Sequence, residues 1–179
     1  MGWFRLLRAP TFLYGGLSLF LFLWGAGSHS FFGALLAHGM GLFFWSLGEY
    51  LEHRFVGHGP RRRWDIKDHR YHHQIPDDVA EFVIPLSYTV VFFSACCGLL
   101  WLVSPHPSLA AATLSGLMVG YLLYEFVHLA AHVPGVSKRW PRLGAMGERH
   151  RSHHYGRWNT NFGFITGFWD RVFGTHEDF

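Results

Sequence analysis

Only two of the 179 residues are cysteine. Cys96 and Cys97 are adjacent inside an apolar run. That placement argues against a disulfide framework or a thiolate-bound structural zinc, and reads as two small core residues. Charge is also scarce: 15% of the chain is charged, against 50% apolar and 18% aromatic, with a net charge of only +3. This is too apolar for an ordinary soluble domain. The sequence shows no low-complexity stretch, no long linker and no nucleotide-binding glycine loop, and no nucleic-acid partner is expected. Its length suits one domain over residues 1–179.

The apolar residues are concentrated in four runs, 11–27, 31–52, 82–104 and 108–131. Each is long enough to cross a bilayer as a helix, the first being near the lower limit of about 17 residues. The connections are short, Ser28–Ser30 and Pro105–Pro107, so two helical hairpins are expected. All fifteen lysines and arginines fall in residues 1–10, 53–80 and 132–179, and neither short loop carries one. The positive-inside rule then places both termini and segments 53–80 and 132–179 in the cytoplasm. A competing reading takes Arg5, Arg8 and the first run as a signal peptide, cleaved near Gly25-Ala26-Gly27. That would leave three spans.

Ten histidines occupy four short stretches on the basic side: HRFVGH (His53, His58), HRYHH (His69, His72, His73), HLAAH (His128, His132) and HRSHH (His150, His153, His154). Side chains at i, i+3 and i+4 share a helix face, so both His-x-x-His-His stretches and the His128/His132 pair present clustered imidazoles. His53 and His58 are five apart and do not face the same way on a regular helix; Gly57 is expected to let the backbone leave helical geometry there. Neutral imidazole is a common nitrogen ligand for transition metals. One ion takes three or four, so ten imply two ions. Each sequence half offers one hairpin and five of these histidines, so the halves are expected to pack together. Gly116 and Gly120 have a spacing that permits close helix contact.

Two divalent ions held by neutral ligands need carboxylates nearby, usually bonded to the ligand imidazoles. Glu49, Glu125 and Asp68 are the candidates, lying four before His53, three before His128 and next to His69. Nitrogen ligation without thiolates suits redox-active iron better than structural zinc. Such di-iron sites activate dioxygen against strong C–H bonds, and the surrounding apolar runs make a lipid chain the source of that bond. Phe162, Ile165, Trp169, Val172 and Phe173 recur at helical intervals, predicting an amphipathic helix on the membrane surface or on the histidine cap. His29, His38, His106 and His176 stand outside the four stretches and are left out of the ligand set.

These residues match a family pattern from Glu49 to Thr175. The chain resembles the fatty acid hydroxylase superfamily, also called the sterol desaturase family, of integral-membrane di-iron oxygenases. His72-His73-Gln74-Ile75-Pro76-Asp77 is similar to the HHxxPxD run of fatty acid 2-hydroxylases, and Trp169–Thr175 to a WDRxFGT signature. The resemblance implies an all-α membrane protein, four transmembrane helices under a cytosolic histidine-rich helical cap. Carried over position by position, it makes His53, His58, His69, His72, His73, His128, His132, His150, His153 and His154 the metal ligands. It implies two iron ions, replaceable by zinc during purification, dioxygen as co-substrate, and hydroxylation of a lipid acyl chain near the carboxyl end. Some members carry a cytochrome-b-type haem domain; with none in this sequence, an external reductase, ferredoxin or cytochrome is expected to supply electrons. The Arg61–Arg63 run suits an acidic donor or lipid phosphates.

Two alternatives stay open at this level. One is sterol or carotenoid hydroxylation or desaturation by the same chemistry. The other, a histidine-rich metal transporter or sensor, needs polar residues along the spans, where only His38 stands out.

Overall fold

The computed structural model describes residues 3–59, 69–76, 78 and 83–178. Their regular secondary structure is helical, with no strand among the described residues. Four long helices dominate: α1 (Trp3–Ser28), α2 (Phe31–Glu52), α4 (Leu86–Val103) and α5 (Pro107–His132). Shorter ones are α3 (His69–Gln74), α6 (Pro134–Arg139), α7 (Pro141–Tyr155) and α8 (Phe168–Val172). The segments Leu7–Ser28, Phe31–Gly57, Leu86–Val103 and Pro107–His132 are long and apolar enough to cross a membrane. A helix meets this demand because it satisfies its backbone groups internally, without water. The protein is an integral membrane protein with four such helices.

The chain divides into two compact units, Met1–Trp45 with Ile84–Leu122, and Ser46–Val83 with Leu123–Phe179. The first unit is the apolar one. Its core joins Tyr14, Phe93, Leu114, Met118 and Tyr121, with Trp45 packed against them. The Tyr14 hydroxyl donates to Thr89 Oγ1 at 2.8 Å, giving a buried polar link between α1 and α4. Of the four candidate spans, α5 is 61% buried against 22% or less for the others, so it forms the central helix. Its small residues make that position accessible. A Cβ on Gly116 would meet the His38 carbonyl, and one on Gly41 would meet the Thr113 carbonyl, so α2 and α5 cross with their backbones in contact. Trp45 lies over Gly120. His38 Nδ1 is 2.8 Å from Ser115 Oγ, a polar bond between the same two helices.

Two expectations are corrected here. Cys96 is half-buried but Cys97 is exposed on α4, so only one of the pair approaches the core. The exposed rings of His29 and His106 lie 4.9 Å apart. The C-terminal amphipathic helix is reduced to the five residues of α8. Residues 161–167 are irregular, and Phe162 and Phe164 are buried rather than aligned along a surface helix. Buried charged groups claim their backbone amides, as described below.

Candidate metal centre

All ten histidines of the four stretches fall in the second unit. Helix α2 ends in a π turn over His53–Gly57, in which the His58 N–H donates to the His53 carbonyl at 3.1 Å. A π turn repeats after five residues rather than four. It thereby brings His53 and His58 onto one face, which a regular helix would not do. A Cβ on Gly57 would stand 3.0 Å from the His69 ring, so its lack of a side chain also makes room for that imidazole. Gly147 does the same on α7, where a Cβ would press on the backbone of Val127 and Ala131 in α5. This close crossing sets the α7 histidines against those of α5.

The histidines converge on two centres. In the first, the ligand atoms of His53, His58, His69, His73 and His153 all lie within 4.8 Å of one another. In the second, His72, His128, His132 and His150 do so. His154 adjoins the second through its Nε2, 2.9 Å from His150 Nε2, with its ring 4.6 Å from His132. Each His-x-x-His-His helix therefore splits its imidazoles: α3 sends His69 and His73 to one centre and His72 to the other, and α7 sends His153 to one and His150 and His154 to the other. Each sequence half supplies four imidazoles to one centre, and the other half adds a fifth, His153 to the first and His72 to the second.

The chemistry of these contacts fits a shared cation. His53 Nδ1 is 2.7 Å from the Phe162 carbonyl, and His153 Nδ1 is 2.7 Å from the Thr160 carbonyl. A carbonyl only accepts, so both Nδ1 atoms carry the proton and, in neutral rings, both Nε2 atoms present bare lone pairs. Those lone pairs point at other ring nitrogens. His53 Nε2 is 3.0 Å from His69 Nε2, and His153 Nε2 is 2.9 Å from His58 Nε2 and 3.2 Å from His73 Nε2. His69 Nε2 also stands 2.9 Å from His58 Nε2 and 3.0 Å from His73 Nε2. One nitrogen cannot hydrogen-bond to three others at once. Ligands about 2.1 Å from a common ion and at right angles to one another stand about 3.0 Å apart, which is the spacing found.

Protonation does not offer an alternative. Burial, and then the neighbouring imidazoles, hold His69, His150 and His154 well below the ordinary histidine range and lower His73 to about 2. Burial lowers His153 to about 4, against the opposing pull of the Thr160 carbonyl. These rings are neutral at physiological pH and ready to ligate.

The orienting groups are mostly ones the sequence reading missed. Asn161 has φ 55°, a left-handed conformation that asparagine tolerates better than most residues. Its side chain bonds Ser152 Oγ and the backbone of Glu177. It sits between Thr160 and Phe162, the two residues whose carbonyls fix the His153 and His53 tautomers. Asp170 is fully buried and accepts from the backbone N–H groups of Phe162 (2.7 Å) and Gly163 (3.0 Å) and from Thr175 Oγ1 (2.9 Å). Thr175 is bonded in turn to the buried Tyr50 hydroxyl on α2, at 2.9 Å. Glu49, expected beside a ligand imidazole, accepts from the backbone N–H of Ile165 at 2.9 Å. Glu125 is fully buried on α5. Asp68 and Arg61–Arg63 lie outside the described residues, as does Asp77 of the HHxxPxD run. Arg149 donates to the Phe164 carbonyl at 3.3 Å; burial lowers its pKa, while Asp170 and Glu49 pull it back up. His176 is in neither cluster, its ring facing Asp178 at 3.3 Å.

The chain is similar to known proteins over most of its length. The Fatty acid hydroxylase family matches residues 38–175. A ceramide very long chain fatty acid hydroxylase of Schizosaccharomyces pombe is 31% identical over 180 residues, 95% of this chain and 49% of that protein. A dihydroceramide fatty acyl 2-hydroxylase of Arabidopsis thaliana is 31% identical, covering 75% of this chain and 58% of that one. The human fatty acid 2-hydroxylase is 30% identical, covering 76% and 38%. The chain thus spans about half the length of the first curated relatives it matches. In fold it is similar to full-length scs7p, of which only the hydroxylase domain is visible, with a TM-score of 0.79 at 24% identity over 94% of this chain and 66% of that one. With the family match covering most of the sequence, both histidine centres included, this chain belongs to the fatty acid hydroxylase family.

Proposed function

We propose that this chain hydroxylates the acyl chain of a lipid, near its carboxyl end, using dioxygen and two iron ions. The observation that carries this reading is the pair of histidine centres, each assembled from both sequence halves and built without thiolate. Zinc has no redox chemistry of its own, and an all-nitrogen donor set accommodates iron. The reaction balances as R–CH2–COX + O2 + 2 e⁻ + 2 H⁺ → R–CHOH–COX + H2O. An external one-electron carrier, a ferredoxin or cytochrome-b-type protein with its reductase, supplies the electrons. The relatives' names, 2-hydroxylases of fatty acids and ceramides, support both the substrate class and the position.

In this reading His53, His58, His69, His73 and His153 hold one ion, and His72, His128, His132, His150 and His154 hold the other. The bound iron supplies dioxygen activation. The chain's own groups do the rest. The Phe162 and Thr160 carbonyls keep His53 and His153 in the ligating tautomer. In sequence, the apolar stretches of α2 and α5 lead directly into His53 and into His128 and His132. The one-sided arginines and lysines support a single membrane domain over residues 1–179 with termini and histidines in the cytoplasm, the spans paired as two hairpins.

Incubation with labelled dioxygen, an electron donor and a panel of acyl lipids tests the proposal by mass spectrometry. One labelled oxygen at the 2-position is the expected product. A new double bond without label, or modified sterols with untouched acyl chains, would contradict it.

A further inference from the structure

Phe164 occupies an unusual place. Its ring is 4.9 Å from His53 in the first centre, and 4.2 and 5.3 Å from His150 and His128 in the second. Phe162, by contrast, meets His53, His58 and His153, all of the first centre. Phe164 is 3% exposed and also touches the Tyr124 ring at 4.5 Å. Tyr124 lies one helical turn before His128, where the apolar run of α5 gives way to ligands.

The backbone around this ring is fixed with unusual force. Asp170 holds the N–H groups of Phe162 and Gly163, Arg149 holds the carbonyl of Phe164, and Glu49 holds the N–H of Ile165. Three charged side chains, two of them buried, thus anchor four consecutive irregular residues. Burying charge is costly, and packing alone would keep an aromatic ring in a core. The expense is explained if the position of the ring matters to a fraction of an ångström.

Resting on the hydroxylation reading above, we propose that Phe164 is the apolar wall that sets which carbon of a saturated acyl chain faces the two histidine centres. Its ring lies across both centres next to the end of the apolar run. An acyl chain whose reacting carbon reaches the two centres meets this ring as a fixed stop. Asp170, Arg149 and Glu49 are positioning residues acting through it. The reaction is the one balanced above, with the acyl lipid as the only organic substrate.

Phe164→Leu and Phe164→Ala test this in the full-length, metal-loaded protein with an electron donor and acyl lipid vesicles. Metal content per chain serves as the folding control. The ratio of the main hydroxy isomer to its neighbours should fall roughly 10-fold or more in the alanine variant, the discrimination one methylene carries in an apolar pocket, and less in the leucine variant. Without donor, and so without turnover, the alanine variant should bind best an acyl chain longer than the wild type prefers. Two metals with unchanged isomer ratio and unchanged chain-length preference in both variants would reduce Phe164 to a packing residue and overturn the proposal. If alanine costs the fold, the leucine variant alone decides by the same two readings. A wild type that makes no hydroxyacyl product would instead overturn the parent reading, and the proposal with it.

Discussion

Asp170→Asn is the most informative single-atom change. The carboxylate is fully buried, with Oδ1 accepting from Phe162 N–H and Thr175 Oγ1 and Oδ2 accepting from Gly163 N–H. The amide has one acceptor. Placed with its oxygen at Oδ1, it turns an NH2 group toward the Gly163 N–H, donor against donor. One charge-assisted bond, about 1.5–3 kcal/mol, is lost, and a buried N–H is left unsatisfied; allowing for overlap between the two terms, the expected cost is about 2–4 kcal/mol. The damage is directed. The Phe162 carbonyl that fixes His53 belongs to the residue whose N–H Asp170 holds, so the first centre should weaken by roughly 10- to 100-fold in metal affinity, the range for losing an orienting partner. Chemical unfolding of the detergent-solubilised protein and metal titration, each against wild type, measure the two effects. Wild-type stability together with wild-type affinity at both centres would refute the claim that Asp170 organises the 161–167 segment.

Asn161→Val forces a β-branched residue into a left-handed conformation and removes the Ser152 and Glu177 bonds; unfolding should show a loss of about 2 kcal/mol or more, with Asn161→Gly recovering part of it. Gly116→Leu should prevent α2 and α5 from meeting and abolish monodisperse protein on size exclusion, whereas Gly116→Ala should cost roughly 1–3 kcal/mol. Glu49→Gln retains an acceptor for the Ile165 N–H and should lower metal occupancy less than Glu49→Leu. Reporter fusions at residues 28–30 and 105–107 should read as extracytoplasmic, and a cytoplasmic signal at either would overturn the hairpin topology.

The spans were legible because hydrocarbon imposes long uncharged runs, and the ten histidines because ligand spacing repeats on helix faces. What escaped was pairing in space. The face shared by His53 and His58 depends on a π turn, and no residue pattern in HRFVG announces one. The exchange of His72 and His153 between centres depends on how α3 and α7 lie, which i, i+3, i+4 spacing leaves undetermined. Phe162, Ile165 and Trp169 mimicked a helical period. Their amides are instead taken by Asp170 and Glu49, or left to the five-residue α8, and side-chain hydropathy carries no record of that competition. The groups that set the tautomers of His53 and His153 are backbone carbonyls, which no side-chain motif can reveal. Asp170 itself was visible only as part of a family signature, without its role.

Histidines exchanged between α3 and α7 would build two metal centres. Metal analysis of the purified protein, supplemented during expression, tests it most directly when run beside His153→Ala and His132→Ala. Close to two ions per wild-type chain are expected, with lowered occupancy of one centre in each variant and with zinc replacing some iron because it binds such nitrogen sites more tightly. A well-folded wild type holding one ion or none would contradict it.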